Sequence, residues 1–207
     1  MRLRKAHFLT VIILGSLGIP RLEAQLNELD LEFRAQDASQ WCWAACAEMV
    51  LDHYGYSVEQ CGLARLKFHY LACDCDPPPP DFNLLPCNQP GWPTLWCTHL
   101  NGYKTFFECY GLNKPKRTYF APLSWSKIKS QIVQKQQPIV FSWQWHDDTG
   151  TPGPTGHMMV MIGCGVVGGQ KVVSYYDPID GYKVIQYDEY VSGQNYSHWH
   201  DYYELGH

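Results

Sequence analysis

The chain has 207 residues, which suits one domain, and 45% of them are aliphatic, aromatic or sulfur-bearing, ample for a core. Only 17% are charged, which excludes a disordered polymer. The net charge of -4, with no basic run, removes the electrostatic basis for a nucleic-acid surface.

Arg2, Arg4 and Lys5 open the chain, and an apolar run from Phe8 to Ile19 follows, broken by Thr10, Gly15, Ser16 and Gly18. Pro20 then precedes Ala24. This layout predicts a secretory signal peptide over 1–24, cleaved after Ala24. A spanning helix needs about 20 apolar residues, more than this run supplies, so no membrane association is expected once the signal is gone. The expected location is secreted, extracellular or periplasmic, with 25–207 as a single domain. An oxidising compartment permits disulfides, and nine cysteines leave at least one thiol over.

Residues 25–35 form a short polar-apolar lead. From Cys42 to Tyr54 the spacing of Trp43, Ala47, Val50 and Tyr54 predicts a helix, with Asp37 or Ser39 as its cap and Gly55 at its stop. Cys42 then lies in the first turn. Residues 56–72 read as a second helix. The stretch 73–97 holds Pro77 to Pro80, Pro86, Pro90 and Pro93, and four cysteines, so it predicts a Pro/Cys-rich insertion tied down by disulfides. Shorter helices are expected over Leu100–Tyr110 and Trp125–Gln136. From Pro138 the pattern changes. Ile139–Trp145 reads as a strand, His146–Gly156 as a loop, and His157–Val167, Lys171–Tyr176 and Tyr182–Tyr187 as further strands, with Gly168-Gly169 as a hairpin turn. Helices first and strands second predict an α+β fold.

A thiol becomes a strong nucleophile when a helix N-terminus or an imidazolium lowers its pKa. Cys42, at a helix start and between Trp41 and Trp43, is the candidate; disulfide bonding is the plainer fate of a cysteine here. His157 is the candidate base, following Gly156 at the head of an apolar strand. His53 and His69 lie on helical patterns, and His198, His200 and His207 in a polar tail without supporting pattern. Asp177, at a strand end before Pro178, is placed to orient the imidazole. Asp180 is its close competitor. Gln36 and the Cys42 backbone N–H are candidate oxyanion donors, with Gln40 as the alternative.

Gln36-x5-Cys42 inside QDASQWCWAAC, TGHMMVMIGC around His157 and YYDP around Asp177 resemble the papain-like cysteine peptidases. The chain is most similar to bacterial secreted-effector peptidases, with bacteriocin-leader-processing peptidases and staphopains further off. The resemblance implies an N-terminal helical lobe carrying the cysteine, a C-terminal antiparallel β-sheet lobe carrying the histidine and the acid, and a cleft between them for an extended peptide. It implies Cys42 as nucleophile, His157 as general base, Asp177 as orienting acid and Gln36 in the oxyanion hole. Expected partners are a peptide or protein substrate and an inhibitor protein; neither cofactor nor metal is expected.

Three rivals stay open at this point. The same residues begin transglutamination, deamidation or cell-wall amide cleavage, because each passes through the same thioester. Cys73, Cys75, Cys87 and Cys97 are potential zinc ligands, though zinc sites more often show two close pairs. A disulfide-rich binding module would hold Cys42 oxidised.

Overall fold

Segments rich in β-branched and aromatic residues dominate the chain after Pro138, and they assemble into the sheet on which the fold is built. A computed structural model of the chain describes residues 25–68, 71, 73–76, 78–92, 94–95 and 104–207. The expected signal peptide over 1–24, together with His69 and Cys97, lies outside the described residues. In order the elements are β1 (Gln25–Glu28), α1 (Cys42–His53), α2 (Gln60–Lys67), a 3-10 turn (Phe82–Leu84), β2 (Thr94–Leu95), β3 (Lys104–Thr105), α3 (Phe106–Cys109), β4 (Lys116–Arg117), α4 (Trp125–Lys129) running into a π-helical turn (Ser130–Gln134), β5 (Ile139–His146), β6 (Pro152–Val167), β7 (Gln170–Asp177), β8 (Gly181–Gln186), α5 (Tyr187–Val191) and β9 (Tyr196–Tyr203).

The fold is α+β, as expected. One antiparallel sheet has the order β4-β9-β5-β6-β7-β8, and β1 pairs with β6 beside it. The Gly168-Gly169 turn joins β6 to β7 with φ of 58° and 82°, the left-handed backbone that a two-residue hairpin requires.

Helix α1 is enclosed. Trp43, Ala44, Ala45, Cys46, Ala47, Met49, Val50 and Leu51 are all buried. Trp43 stacks on Phe106 of α3 at 5.5 Å, and the helix lies against β6. The helix ends as expected: Gly55 N–H donates to Asp52 O and Tyr56 N–H to Leu51 O, the two bonds of a Schellman motif. Its start differs from expectation. The N-cap is Trp41, and no side chain caps the helix. Asp37 and Ser39 lie too far back: the Asp37 N–H donates to Gln60 Oε1 at 2.8 Å, and Ser39 is held by Asn83 and Asn88.

Several other expectations are corrected. The helix read over 56–72 is only α2, because Tyr56 to Glu59 is extended. The helix expected over Leu100–Tyr110 is limited, among the described residues, to α3, capped by the Thr105–Glu108 box. Strand β6 begins at Pro152, inside the segment read as a loop. The polar tail is β9, hydrogen-bonded to β5 and β4, and its His198, His200 and Asp201 are buried.

The Pro/Cys-rich segment is stapled as expected, with one staple reaching outside it. Cys61 of α2 pairs with Cys75, and Cys73 pairs with Cys87. Each bridge spans 14 residues in sequence and removes about 3 kcal/mol of loop entropy from the unfolded chain. Cys109 is also disulfide-bonded. No helix among the described residues is long and apolar enough to cross a membrane.

Candidate active site

Three cysteines are free among the described residues: Cys42, Cys46 and Cys164. Burial pushes the Cys46 thiol well up, and the charges of Cys42 and Asp177 push it further. Burial likewise pushes Cys164 up to about 11, against the pull of Lys129. Both are inert as nucleophiles at neutral pH. Cys42 is the half-exposed thiol of the three and opens α1. The first N–H groups of a helix have no partner within it, and no side chain caps this one. The Cys42 N–H therefore sits where a negative oxygen is favoured.

Antiparallel register brings the histidine and the acid together. Val160 of β6 pairs with Tyr176 of β7. Asp177, one step on, falls beside Met159, and His157 is the next β6 residue on that face, a diagonal neighbour within reach of a long side chain. His157 Nε2 is 2.7 Å from Asp177 Oδ1. The Asp177 carboxylate is fixed in turn by the N–H of Ile179 at 2.8 Å and of Asp180 at 3.3 Å. Asp180, the sequence competitor, points away to Lys183 at 3.3 Å.

Electrostatics favour a charged pair. Burial works against the His157 cation, but hydrogen bonds to Asp177 and to Cys42, and the charges of both, outweigh it and raise its pKa to about 9. Burial also works against the Asp177 carboxylate, and the bond and charge of His157 with the two backbone N–H groups hold it below the usual carboxylate range. With Nε2 given to Asp177, Nδ1 is the ring nitrogen left for the Cys42 sulfur.

Gln36 is drawn into the same place. Its backbone N–H donates to Pro178 O at 3.0 Å, tying its loop to the Asp177 turn. Its side-chain Nε2 donates to Ala38 O and Ser39 O, both at 3.0 Å. The alternative, Gln40, is exposed, and its N–H is bound to the Asn88 side chain. The structure thus gathers Gln36, Cys42, His157 and Asp177 from the loop before α1, α1, β6 and β7.

The sequence profile of the Peptidase_C39 like family matches residues 22–206. The chain belongs to that family. Cysteine peptidase is accordingly its enzyme class, and a C39-like peptidase acts on peptide or protein substrates. No curated protein matches this C39-like chain. Among solved structures, one reported for the limited antibody cross-reactivity between the mite allergens Blo t 1 and Der p 1 is similar, with a TM-score of 0.44 and 15% identity over 87% of this chain and 67% of that one.

Other features of the C39-like site were not legible in the sequence. Gly156, beside His157, has no room for a side chain: a Cβ would lie 2.1 Å from Trp143 O and 2.8 Å from the Trp199 ring. The Gly-His pair itself was visible, but the neighbours that enforce the glycine come from β5 and β9. A second His–Asp pair, His198 Nε2 to Asp201 Oδ2 at 2.9 Å, is sealed in the core. Of the cysteines read as zinc ligands, Cys73, Cys75 and Cys87 are disulfide-bonded. Cys61, Cys73 and Cys75 bring their sulfurs within 4.8 Å of one another, with all three in bridges.

Proposed function

We propose that the chain is a secreted cysteine peptidase, released by loss of 1–24, whose single catalytic domain over 25–207 hydrolyses peptide bonds through Cys42, His157 and Asp177. The observation that carries this reading is the 2.7 Å His157–Asp177 bond, together with the half-exposed free thiol of Cys42 at the start of α1. The kinship with secreted-effector peptidases drawn from the site motifs belongs to the same reading. Disulfides over 61–87 support an oxidising destination.

The Cys42 thiolate attacks the substrate carbonyl carbon, and the carbonyl oxygen becomes an oxyanion held by the Cys42 N–H and by the Gln36 amide, whose Nε2 gives up its bond to Ala38 O for the oxyanion and keeps the one to Ser39 O. His157 gives its Nδ1 proton to the departing amine as the C–N bond breaks, leaving a thioester on Cys42. His157, now neutral, takes a proton from water. The resulting hydroxide equivalent attacks the thioester, and the acid leaves with the thiolate restored. Asp177 keeps the ring oriented and stabilises its cation throughout.

The test is labelling of the mature chain and of its Cys42→Ala form with a thiol-directed epoxide, followed by mass spectrometry of a mixed peptide library. Labelling at Cys42 and cleavage lost in Cys42→Ala are expected. No labelling under reducing conditions would remove Cys42 as an activated thiol. Labelling without cleavage would move the reaction to amide transfer.

A further inference from the structure

The loop between Gln36 and Cys42 carries both proposed oxyanion donors, and its own bonds, Gln36 Nε2 to Ala38 O and Ser39 O and Trp41 N–H to Ala38 O, leave the N–H groups of Ser39 and Gln40 to partners elsewhere. Ser39 N–H donates to Asn83 Oδ1 at 2.7 Å. Gln40 N–H donates to Asn88 Oδ1 at 3.0 Å. Asn88 Nδ2 donates to Ser39 Oγ at 3.2 Å and to Asn83 O at 3.3 Å. Asn83 is itself fixed, because Asp81 Oδ1 accepts its backbone N–H at 2.8 Å and its Nδ2 at 2.9 Å. The partners of Ser39 and Gln40 are thus 44 and 48 residues away in sequence.

The segment that supplies them is anchored to the same stretch of chain. The Cys73–Cys87 bridge ties it down. The Trp41 indole N–H donates to Cys87 O at 2.8 Å, and the Trp43 indole N–H to Gln89 O at 3.1 Å. Four contacts, at Ser39, Gln40, Trp41 and Trp43, therefore run between the start of α1 and residues 83–89. Ser39 and Gln40 are exposed, so water would satisfy their N–H groups equally well. Side-chain partners do what water does not: they fix position. Ser39 O in turn accepts from Gln36 Nε2, so fixing Ser39 fixes the Gln36 amide.

We infer that Asn83 and Asn88 are positioning residues for the peptidase reaction, clamping the Ser39–Gln40 backbone so that Gln36 and the Cys42 N–H are set before the oxyanion forms. The inference rests on the oxyanion roles proposed above. Oxyanion donors act because they are already in place when charge develops, and a misplacement of about 1 Å costs on the order of a hundredfold in rate. Neither asparagine touches the reacting atoms. The clamp acts on the geometry of acyl transfer and leaves the thiolate and the peptide-binding contacts alone.

The experiment uses the mature full chain as wild type, Asn83→Ala, Asn88→Ala and Asn88→Asp. Two readouts are compared: kcat and KM on a peptide from the library that the wild type cleaves, and the rate of Cys42 alkylation by iodoacetamide, which needs the thiolate and no oxyanion donor. In both alanine variants kcat is expected to fall about ten- to a hundredfold, with KM and alkylation unchanged. Asn88→Asp keeps the acceptor for Gln40 N–H but loses the donor to Ser39 Oγ and Asn83 O, and recovers part of kcat. Unchanged kcat in both alanine variants overturns the clamp. So does a fall in kcat matched by alkylation and not restored by Asn88→Asp, the pattern of a general structural loss. If Asn88→Ala does not fold, Asn83→Ala, which removes the acceptor for Ser39 N–H and one exposed bond to Asp81, makes the same comparison. A wild type whose Cys42 is alkylated but which cleaves no peptide overturns the peptidase reading, and the clamp with it.

Discussion

His157 Nε2 lies 2.7 Å from Asp177 Oδ1, and both side chains are nearly buried. That separation fixes the imidazole by its far nitrogen and turns the near one to Cys42. It also makes the histidine a cation over most of the pH range, because the bonds and charges of Asp177 and Cys42 outweigh the cost of burial.

The pH dependence follows. In the proposed reaction His157 carries the proton handed to the leaving amine, so kcat should decline as pH rises through about 9. Asp177→Asn should move that decline to lower pH, read directly from the pH profile of peptide cleavage. Stability follows the same groups. The raised pKa of His157 contributes stability that is fully present below its unfolded value of 6.5 and is lost as pH rises through about 9. The lowered pKa of Asp177 contributes stability present above 3.8 and lost as pH falls through its folded value. Melting temperatures of wild type and His157→Ala should therefore converge above about pH 9.

Gln36→Ala should lower kcat about a hundred- to a thousandfold, the usual effect of deleting one oxyanion donor. It also removes two bonds to Ala38 O and Ser39 O, each worth about 1 kcal/mol. A modest drop in melting temperature should accompany the loss, checked by calorimetry on the same preparation.

Gly156→Ala forces a methyl group into Trp143 O and the Trp199 ring. One obstacle is backbone and the other a large ring, so the strand must shift, at about 1–3 kcal/mol. The shift lands on His157. Activity should fall more than stability alone explains, measured as kcat below the melting transition.

Reductant should act in two stages. Mild thiol keeps Cys42 reduced and raises activity. Stronger reduction opens Cys73–Cys87, which anchors the carbonyls bound by Trp41 and Trp43, and activity should then fall. Peptide cleavage across a dithiothreitol series, with thiols counted by mass spectrometry at each point, locates both stages.

Asp201→Ala should destabilise the fold by about 3 kcal/mol or more, because it leaves several buried donors without an acceptor, each at about 1–3 kcal/mol. Those partners are the Tyr190 hydroxyl at 2.7 Å, His198 at 2.9 Å, the Thr118 hydroxyl at 3.0 Å and the Leu123 N–H at 3.1 Å. A chemical denaturation midpoint gives the value, and Cys42 alkylation in the residual folded fraction should be normal.

Local pattern made much of this protein readable. The spacing in Cys42–Tyr54 specified α1 and put a thiol at its start, and β-branched runs specified β5 to β8 within a few residues. The strand end at Asp177 and the Gly-His step at 156–157 flagged the proposed acid and the proposed base through their surroundings. Helical period and strand alternation are properties of neighbours in sequence, so neighbours in sequence reveal them. Strand β9 escaped because its alternation is masked by histidine, aspartate and tyrosine, residues whose burial depends on partners elsewhere: Asp201 is a core residue only because Thr118, Leu123 and Tyr190 converge on it.

The two His–Asp pairs mark the limit. His198 and Asp201 are three apart in sequence, while His157 and Asp177 are separated by 20. Sequence spacing alone would favour the first. Register across β6 and β7 and the docking of α1 put a half-exposed thiol against the second and closed the core over the first. The chain determined by itself which residue types were available and which elements would hold them. Which histidine meets a cysteine, and which asparagines hold the loop beside it, was decided by long-range packing, because side chains many residues apart acquire a common environment only when the elements that carry them come together.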